Sequence, residues 1–328
     1  MSIRLGGCTS KRGSRNMDER LKGKNAVVTG GAGGIGSHVC LALAAAGANV
    51  VVSDVGAARD GSGCSTAPVD LVVDEIKRRG GAAIANYESI SDFAAAERLI
   101  GACVDSFGSI DILVNLHGNL RDRMIWNMSA DEWNAVISVH LTGTFNTCRH
   151  ACLKMREQKY GRIVNVTSAA WLGTLGHANY GAAKGGVVSL TKAIALEMGK
   201  YGVTANCFAP IAATRMTLTD EVKASMQRRV EQGLITQQQA EQQLKSMPKP
   251  EQVAPLVVFL ASDGAVNFSG RVFLVEGGKV GLYSEPTPEK VAVKTEEEGV
   301  WTVEALEQFF AETVPAGHMN VAPREPGS

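Results

Sequence analysis

Ser168, Tyr180 and Lys184 are the residues best suited to acid–base chemistry in this chain of 328 residues. Tyr180 and Lys184 are four positions apart in ANYGAAKGGV, which places both on one face of a helix, and Ser168 follows an apolar, strand-like run. An ammonium group near a phenol favours phenolate and lowers a pKa that starts near ~10. Tyr180 could then exchange a proton with a substrate hydroxyl while a hydride leaves for a nicotinamide. Ser168 would hold the substrate oxygen.

A glycine-rich loop upstream supplies the second half of this chemistry. The run TGGAGGIG, residues 29–36, follows a β-branched segment and precedes an alanine-rich helical one. Glycines let the backbone approach a pyrophosphate, and the following helix offers free N–H groups and a positive dipole end. The predicted cofactor-binding residues here are Gly30, Gly33, Gly34, Ile35 and Gly36.

Asp54 stands at the end of the second predicted strand. A carboxylate at this position accepts hydrogen bonds from adenosine ribose hydroxyls and repels a 2′-phosphate, which favours NAD over NADP. An aspartate in an exposed turn is the alternative interpretation.

The elements that must position these residues alternate between short β-branched runs and longer amphipathic stretches. This alternation predicts strand–helix–strand units and a doubly wound (Rossmann) α/β fold. The seven predicted parallel strands cover residues 25–29, 49–54, 82–87, 111–115, 162–168, 204–209 and 271–276. Strands covered by helices on both faces explain why runs such as IVNV lack polar alternation.

We predict one main domain over residues 21–278, with flexible tails at 1–20 and 316–328. The Gln-rich segment 214–247 interrupts the alternation and is interpreted as a helical lid, and residues 279–315 form a C-terminal extension with one helix capped by Thr302. Long helices are predicted at 131–159, behind a capping box at Ser129, and at 178–201. Pro255 should kink its helix.

Composition excludes several classes of protein. The 33 Lys and Arg balance 33 Asp and Glu, so nothing indicates a nucleic acid or an anionic membrane as partner. Seven scattered cysteines show no metal-ligand spacing, and reduced thiols fit a cytoplasmic protein. No metal site is predicted.

Taken together and in this order, the motifs resemble the short-chain dehydrogenase/reductase family. They are TGxxxGxG at 29–36, Asp54, NxxG from Asn115 to Gly118, Ser168 with Tyr180-xxx-Lys184, and Pro210. The resemblance implies that Ser168 orients the substrate and that Tyr180 is the acid–base. It implies that Lys184 lowers the pKa of Tyr180 and binds the nicotinamide ribose. It also places Asn115 and Glu88 beside the adenosine half of NAD, and Ile211 and Thr214 beside the nicotinamide amide. Gly118, Tyr180 and Pro210 complete the cofactor-binding residues that the resemblance implies.

Within that family, several segments look like the (3R)-hydroxyacyl-CoA dehydrogenase unit of peroxisomal multifunctional enzyme type 2. They are the loop 56–70 with its DGSG, the run LRDR at 120–123, VHLTGTF at 139–145 and the tail after Gly278. This resemblance implies oxidation of a 3-hydroxyacyl-CoA thioester by NAD in a homodimer or homotetramer.

The chain departs from the family pattern at several positions. The usual NNAG is Asn115-Leu-His-Gly118, and His140 occupies the fourth catalytic position, usually Asn, whose backbone carbonyl any residue could supply. Thr167 competes with Ser168 as the substrate-orienting hydroxyl. His177 is expected at the pocket mouth. The loop pair Arg121 and Arg123 is expected to be solvated, with CoA phosphates as its alternative ligand.

Two other functions remain open. A free alicyclic or steroid alcohol could replace the thioester, because the lid and the NLHG segment decide substrate shape. An NAD-binding protein without turnover is the alternative from a different class.

Overall fold

The computed structural model describes residues 19–214, 235–288 and 290–313, together with residues 224, 227, 230 and 231. The chain divides into two compact units, the first ending at Tyr283 and the second beginning at Ser284. The predicted tails at 1–20 and 316–328 fall almost wholly outside the described residues, as do 16 of the 34 residues of the predicted lid.

Among the described residues, the first unit is built around one sheet of eight strands in the order β3-β2-β1-β4-β5-β6-β7-β8. The first seven strands are parallel, which confirms the predicted doubly wound fold. The strands are β1 Asn25–Thr29, β2 Asn49–Ser53, β3 Ala83–Asn86, β4 Ile112–Asn115, β5 Gly161–Val166, β6 Val203–Ile211, β7 Val272–Glu276 and β8 Lys279–Leu282. The prediction of seven strands missed β8, which pairs antiparallel with β7 and extends the sheet beyond the predicted domain boundary at Gly278.

Helices cover both faces of the sheet. In the described part of the first unit they are α1 Gly34–Ala45, α2 Ala67–Arg78, α3 Phe93–Phe107, α4 Ala130–Ile137, α5 Gly143–Gln158, α6 Ala178–Met198, α7 Gln237–Lys245 and α8 Ala254–Ala261. Alternate residues of β1 enter opposite layers: Val28 packs in the cluster that contains Val257 of α8, and Val27 in the cluster that contains Leu99 of α3. Burial on both sides therefore explains the unbroken apolar strands.

The long helix predicted over 131–159 is interrupted. Ser129 and Glu132 form the predicted capping box, with the Glu132 N–H 3.1 Å from the Ser129 hydroxyl and the Ser129 N–H 2.9 Å from the Glu132 carboxylate. After α4, residues Ser138–Thr142 adopt a π-helical turn before α5 continues the chain. Such turns often mark functional sites, and this one carries His140.

Pro255 does not kink its helix, contrary to the prediction. A short 3₁₀ turn at Pro250–Gln252 precedes α8, so Pro255 lies in the first turn of that helix. The missing N–H costs nothing there, because first-turn N–H groups have no intrahelical acceptor.

The second unit contains α9, Val303–Thr313. The hydroxyl of Thr302 accepts a hydrogen bond from the N–H of Ala305 at 3.2 Å, as expected of an N-cap. Within this unit, Trp301 packs against Phe309 with ring centroids 6.1 Å apart.

Candidate active site

The glycine loop joins β1 to α1 and borders a cleft at the carboxyl ends of the strands. Gly30 has φ of +65°, and a Cβ atom at Gly36 would collide with the carbonyl oxygen of Gly30. Only glycine fits both positions, since the loop must turn tightly before the helix begins. The first N–H groups of α1 have no intrahelical acceptor and therefore suit a pyrophosphate.

Nine of the predicted cofactor-binding residues line this cleft. They are Gly30, Gly33, Gly34, Ile35, Gly36, Asp54, Glu88, Gly118 and Thr214. We call this space the cofactor cleft.

Asp54 follows β2 directly and is held in one orientation. Its carboxylate accepts hydrogen bonds from the N–H of Ala32 at 3.1 Å and the N–H of Gly56 at 2.8 Å. These bonds leave lone pairs on both oxygens that ribose hydroxyls can use.

Two predicted cofactor residues are not brought to a cleft. The Asn115 side chain is buried in a network in which it donates to the amide oxygen of Asn165 at 2.8 Å and accepts from Thr147 at 2.9 Å. It therefore joins β4 to its neighbours rather than facing the cleft. Ile211, at the end of β6, is 39% exposed and does not line either cleft, whereas Pro210 does.

The four predicted catalytic residues line a second cleft of about 800 Å³, which we call the substrate cleft. Ser168 follows β5, Tyr180 and Lys184 occupy successive turns of α6, and His140 comes from the π-helical turn. The two clefts adjoin, since both are lined by Ile35, Arg59, Leu116, His117, Gly118 and Thr214.

The electrostatics of Tyr180 differ from the prediction. Burial raises the pKa of Tyr180 above its ordinary value, and the hydrogen bond from Ser168 opposes that rise. Lys184 is not among the causes of this shift, contrary to the prediction, and burial lowers the pKa of Lys184 itself to about 7. Its ammonium nitrogen lies 5.7 Å from the Tyr180 ring centroid and donates to the Val166 carbonyl oxygen at 2.8 Å.

The contacts of Thr167 favour Ser168 as the substrate-orienting hydroxyl. Thr167 is buried, and its hydroxyl donates to the backbone carbonyl of Lys184 at 3.0 Å. Ser168 instead hydrogen-bonds to Tyr180.

Comparisons with known proteins identify the family of this chain. The short chain dehydrogenase family matches residues 24–227. The chain belongs to this family. A crystal structure of a short chain dehydrogenase from Mycobacterium avium is 39% identical, with a TM-score of 0.72, and the match covers 89% of this chain and 94% of that one.

Curated relatives add two further likenesses. This short-chain dehydrogenase is 42% identical over 283 residues to a hydroxyacyl-CoA dehydrogenase of Mycobacterium tuberculosis, covering 82% of each chain. It is 41% identical over 262 residues to a peroxisomal hydratase-dehydrogenase-epimerase of Neurospora crassa, covering 80% of this chain. The match spans only 27% of the Neurospora protein's length.

His140 packs against Tyr180 in this short-chain dehydrogenase. Its ring meets the Tyr180 ring edge-on with centroids 5.1 Å apart, and its Nε2 lies 2.8 Å from the Asn119 carbonyl oxygen. Its own backbone carbonyl accepts the Thr144 hydroxyl at 2.7 Å. Burial and the charge of Lys184 hold the pKa of His140 well below its usual range, so the imidazole is neutral.

The NLHG departure places His117 in a buried polar chain that the sequence did not predict. Its Nδ1 lies 2.6 Å from the Thr29 hydroxyl and its Nε2 lies 3.2 Å from the Thr144 hydroxyl. Burial, with the nearby charge of Lys184, lowers the pKa of His117 to about 3. A neutral His117 therefore ties the start of the glycine loop to α5.

The mouth of the substrate cleft holds the predicted His177 and two charged residues that the sequence did not single out. The Nε2 of His177 lies 3.0 Å from the carboxylate of Asp122, which also receives the guanidinium of Arg59 at 2.8 Å. Arg123 instead pairs with Glu132 at 2.9 Å, and Arg121 donates to the Asp60 carbonyl at 3.1 Å. Neither of these two arginines lines a cleft.

Within the described residues, no three His, Cys, Asp or Glu side chains gather in a way that could hold a metal ion. No helix in that same part of the chain has the length and apolar character needed to cross a membrane.

Proposed function

We propose that this short-chain dehydrogenase oxidises a 3-hydroxyacyl-CoA to the corresponding 3-ketoacyl-CoA with NAD. The observation that carries the proposal is that the two clefts adjoin and share lining residues, with Ser168 and Tyr180 in one and the glycine loop in the other. The acyl-CoA substrate is supported by the likeness to a hydroxyacyl-CoA dehydrogenase over most of both chains. The preference for NAD is supported by the fixed carboxylate of Asp54.

Oxidation removes a hydride from C3 of the substrate and a proton from its hydroxyl group. Tyr180 Oη takes that proton, and the Ser168 hydroxyl binds the same substrate oxygen and so holds C3 in place. A bound NAD supplies the hydride acceptor, and its positively charged ring favours the ionised phenol. Because burial raises the pKa of Tyr180, the free enzyme holds this phenol protonated at neutral pH, and the phenol must release its own proton to solvent before its oxygen can accept the substrate's proton.

Replacing Tyr180 by Phe tests the catalytic assignment. The variant should lose about 10²- to 10⁴-fold in turnover of 3-hydroxybutyryl-CoA, because the proton acceptor is gone. NADH binding, followed by fluorescence, should stay within about twofold of wild type, because the residues of the cofactor cleft are unchanged. Turnover that survives in the variant would contradict the role of Tyr180.

A panel of substrates and cofactors tests the preference for NAD and for acyl-CoA thioesters. NAD should be preferred over NADP, and CoA thioesters over free alicyclic or steroid alcohols. Equal turnover of free alcohols would contradict the acyl-CoA assignment, and a wild-type protein that binds NADH without turnover would contradict the enzymatic one. The homodimer or homotetramer and the cytoplasmic location stay predictions.

A further inference from the structure

The loop between β2 and α2 contains the DGSG run, and nothing in the catalytic mechanism uses it. Its backbone is tied to the loop that follows β4: the Leu120 N–H donates to the Arg59 carbonyl at 2.9 Å, and Arg121 Nε donates to the Asp60 carbonyl at 3.1 Å. These bonds fix the backbone of Arg59 at the point where the two clefts meet.

The Arg59 side chain is held in place by one hydrogen bond, but not all of its N–H donors have acceptors. One terminal nitrogen donates to Asp122 at 2.8 Å, whereas Nε is buried and has no hydrogen-bond partner among the described residues. Burial alone would raise the pKa of Asp122, but His177 and Arg59 outweigh it and hold this pKa below its usual value. Asp122 is therefore ionised at neutral pH and keeps the guanidinium in place.

Arg59 differs in charge from the other ionisable side chains that line the cofactor cleft. Asp54 and Glu88 bring two carboxylates to the lining of the cofactor cleft. Among the described residues, Arg59 is the one basic side chain, Lys or Arg, in that lining. Lys184 lines only the substrate cleft, where burial lowers its pKa. A pyrophosphate carries two negative charges, and guanidinium groups match phosphate oxygens in geometry as well as charge.

We propose that Arg59 is a phosphate-binding residue at the junction of the cofactor and substrate clefts, with Asp122 as its positioning residue. Because Arg59 lines both clefts, the phosphate group comes from the dinucleotide or from the CoA part of the substrate, and the substrate arm rests on the proposed function.

Arg59→Gln and Arg59→Lys test the proposal against Arg78→Gln, which removes the same charge from an exposed, Glu75-paired site on α2. NADH binding is measured by fluorescence and needs no turnover. KM is measured with 3-hydroxybutyryl-CoA and with 3-hydroxybutyryl-N-acetylcysteamine, which keeps the thioester and amide but has no phosphate. Circular dichroism confirms that each variant is folded.

Arg59→Gln should weaken binding of the phosphate-bearing ligand by at least about fivefold. Arg59→Lys should weaken it by less, and Arg78→Gln by under about twofold. A loss of NADH affinity assigns the dinucleotide phosphates. A rise in KM for the CoA thioester alone assigns the CoA phosphates. The loss should shrink as salt increases.

Unchanged NADH affinity together with unchanged KM for both thioesters would overturn the proposal. An equal rise in KM for the two thioesters, with NADH affinity unchanged, would overturn it as well. Should wild type fail to turn over either thioester, the proposed function fails, while the NADH measurement still decides the role of Arg59.

Discussion

At Tyr180 and Lys184, the effect of burial on each pKa competes with the effect of neighbouring charge. The sequence places Tyr180 and Lys184 on one helix face, and a pairwise view predicts that the ammonium acidifies the phenol. In the structure, both groups are removed from water, which raises the pKa of Tyr180 and lowers that of Lys184 to about 7. Desolvation favours the neutral form of each group, and a sequence motif does not reveal its extent.

Replacing Lys184 by Met should reveal the cost of burying this ammonium. Lys184 is 2% exposed, and its folded pKa of about 7 lies below the ordinary value of 10.5. Between these values the unfolded chain holds the extra proton, so wild-type stability should rise with pH. The variant lacks this dependence, and its stability relative to wild type should be greater at pH 6 than at pH 9 by about 3 kcal/mol.

Urea unfolding at the two pH values measures this difference. Lys154→Met, at an exposed position on α5, is the control and should show no comparable change between pH 6 and pH 9. A stability difference for Lys184→Met that is the same at both pH values would contradict the assigned burial of charge.

At the level of elements, the strands could be predicted and the irregular turns could not. Each predicted parallel strand is found with its ends shifted by at most two residues, because unbroken apolar runs report burial on both faces. The π-helical turn at Ser138–Thr142 lies between two helical patterns without a proline to mark it. Its cause is tertiary, since it places His140 against Tyr180 and Asn119.

The same limit applies to side-chain direction. The sequence motifs placed Asn115 beside the cofactor, yet its amide is used in the buried network between β4 and β5. Arg59 carried no motif, because the loop bonds that bring it to the cofactor cleft join segments about 60 positions apart.

Two Gly→Ala substitutions within helices should have opposite effects on the free energy of unfolding. In Gly36→Ala, the new methyl collides with the Gly30 carbonyl, so the variant should lose about 1–3 kcal/mol of stability and at least about tenfold in NADH affinity. In Gly101→Ala on α3, the methyl meets no atom within 4 Å and should add about 0.5–1 kcal/mol through helix propensity.

Urea unfolding and NADH fluorescence on both variants measure these effects. Gly36→Ala with normal NADH affinity would show that the loop can widen, and the close approach of the glycine backbone would no longer explain the cofactor cleft.

At the level of the whole molecule, the sheet determines where the catalytic unit ends. The sequence placed the boundary at Gly278 because the parallel strand–helix alternation stops there. The chain instead turns back as β8, pairing Glu276 with Lys279 and Phe273 with Leu282. The next residue, Tyr283, donates its N–H to the Val272 carbonyl at 2.9 Å and packs edge-on against Trp171 with centroids 5.9 Å apart.

Truncation at these two boundaries should therefore give different proteins. A chain ending at Tyr283 keeps the complete sheet, and its unfolding free energy in urea should lie within about 1 kcal/mol of the full chain, with NADH affinity unchanged. A chain ending at Gly278 loses β8 and exposes the edge of β7, which should cost at least about 2 kcal/mol and promote association. If the chain ending at Tyr283 unfolded without cooperativity, residues 284–328 would be required for the fold, and their assignment as a separate unit would be wrong.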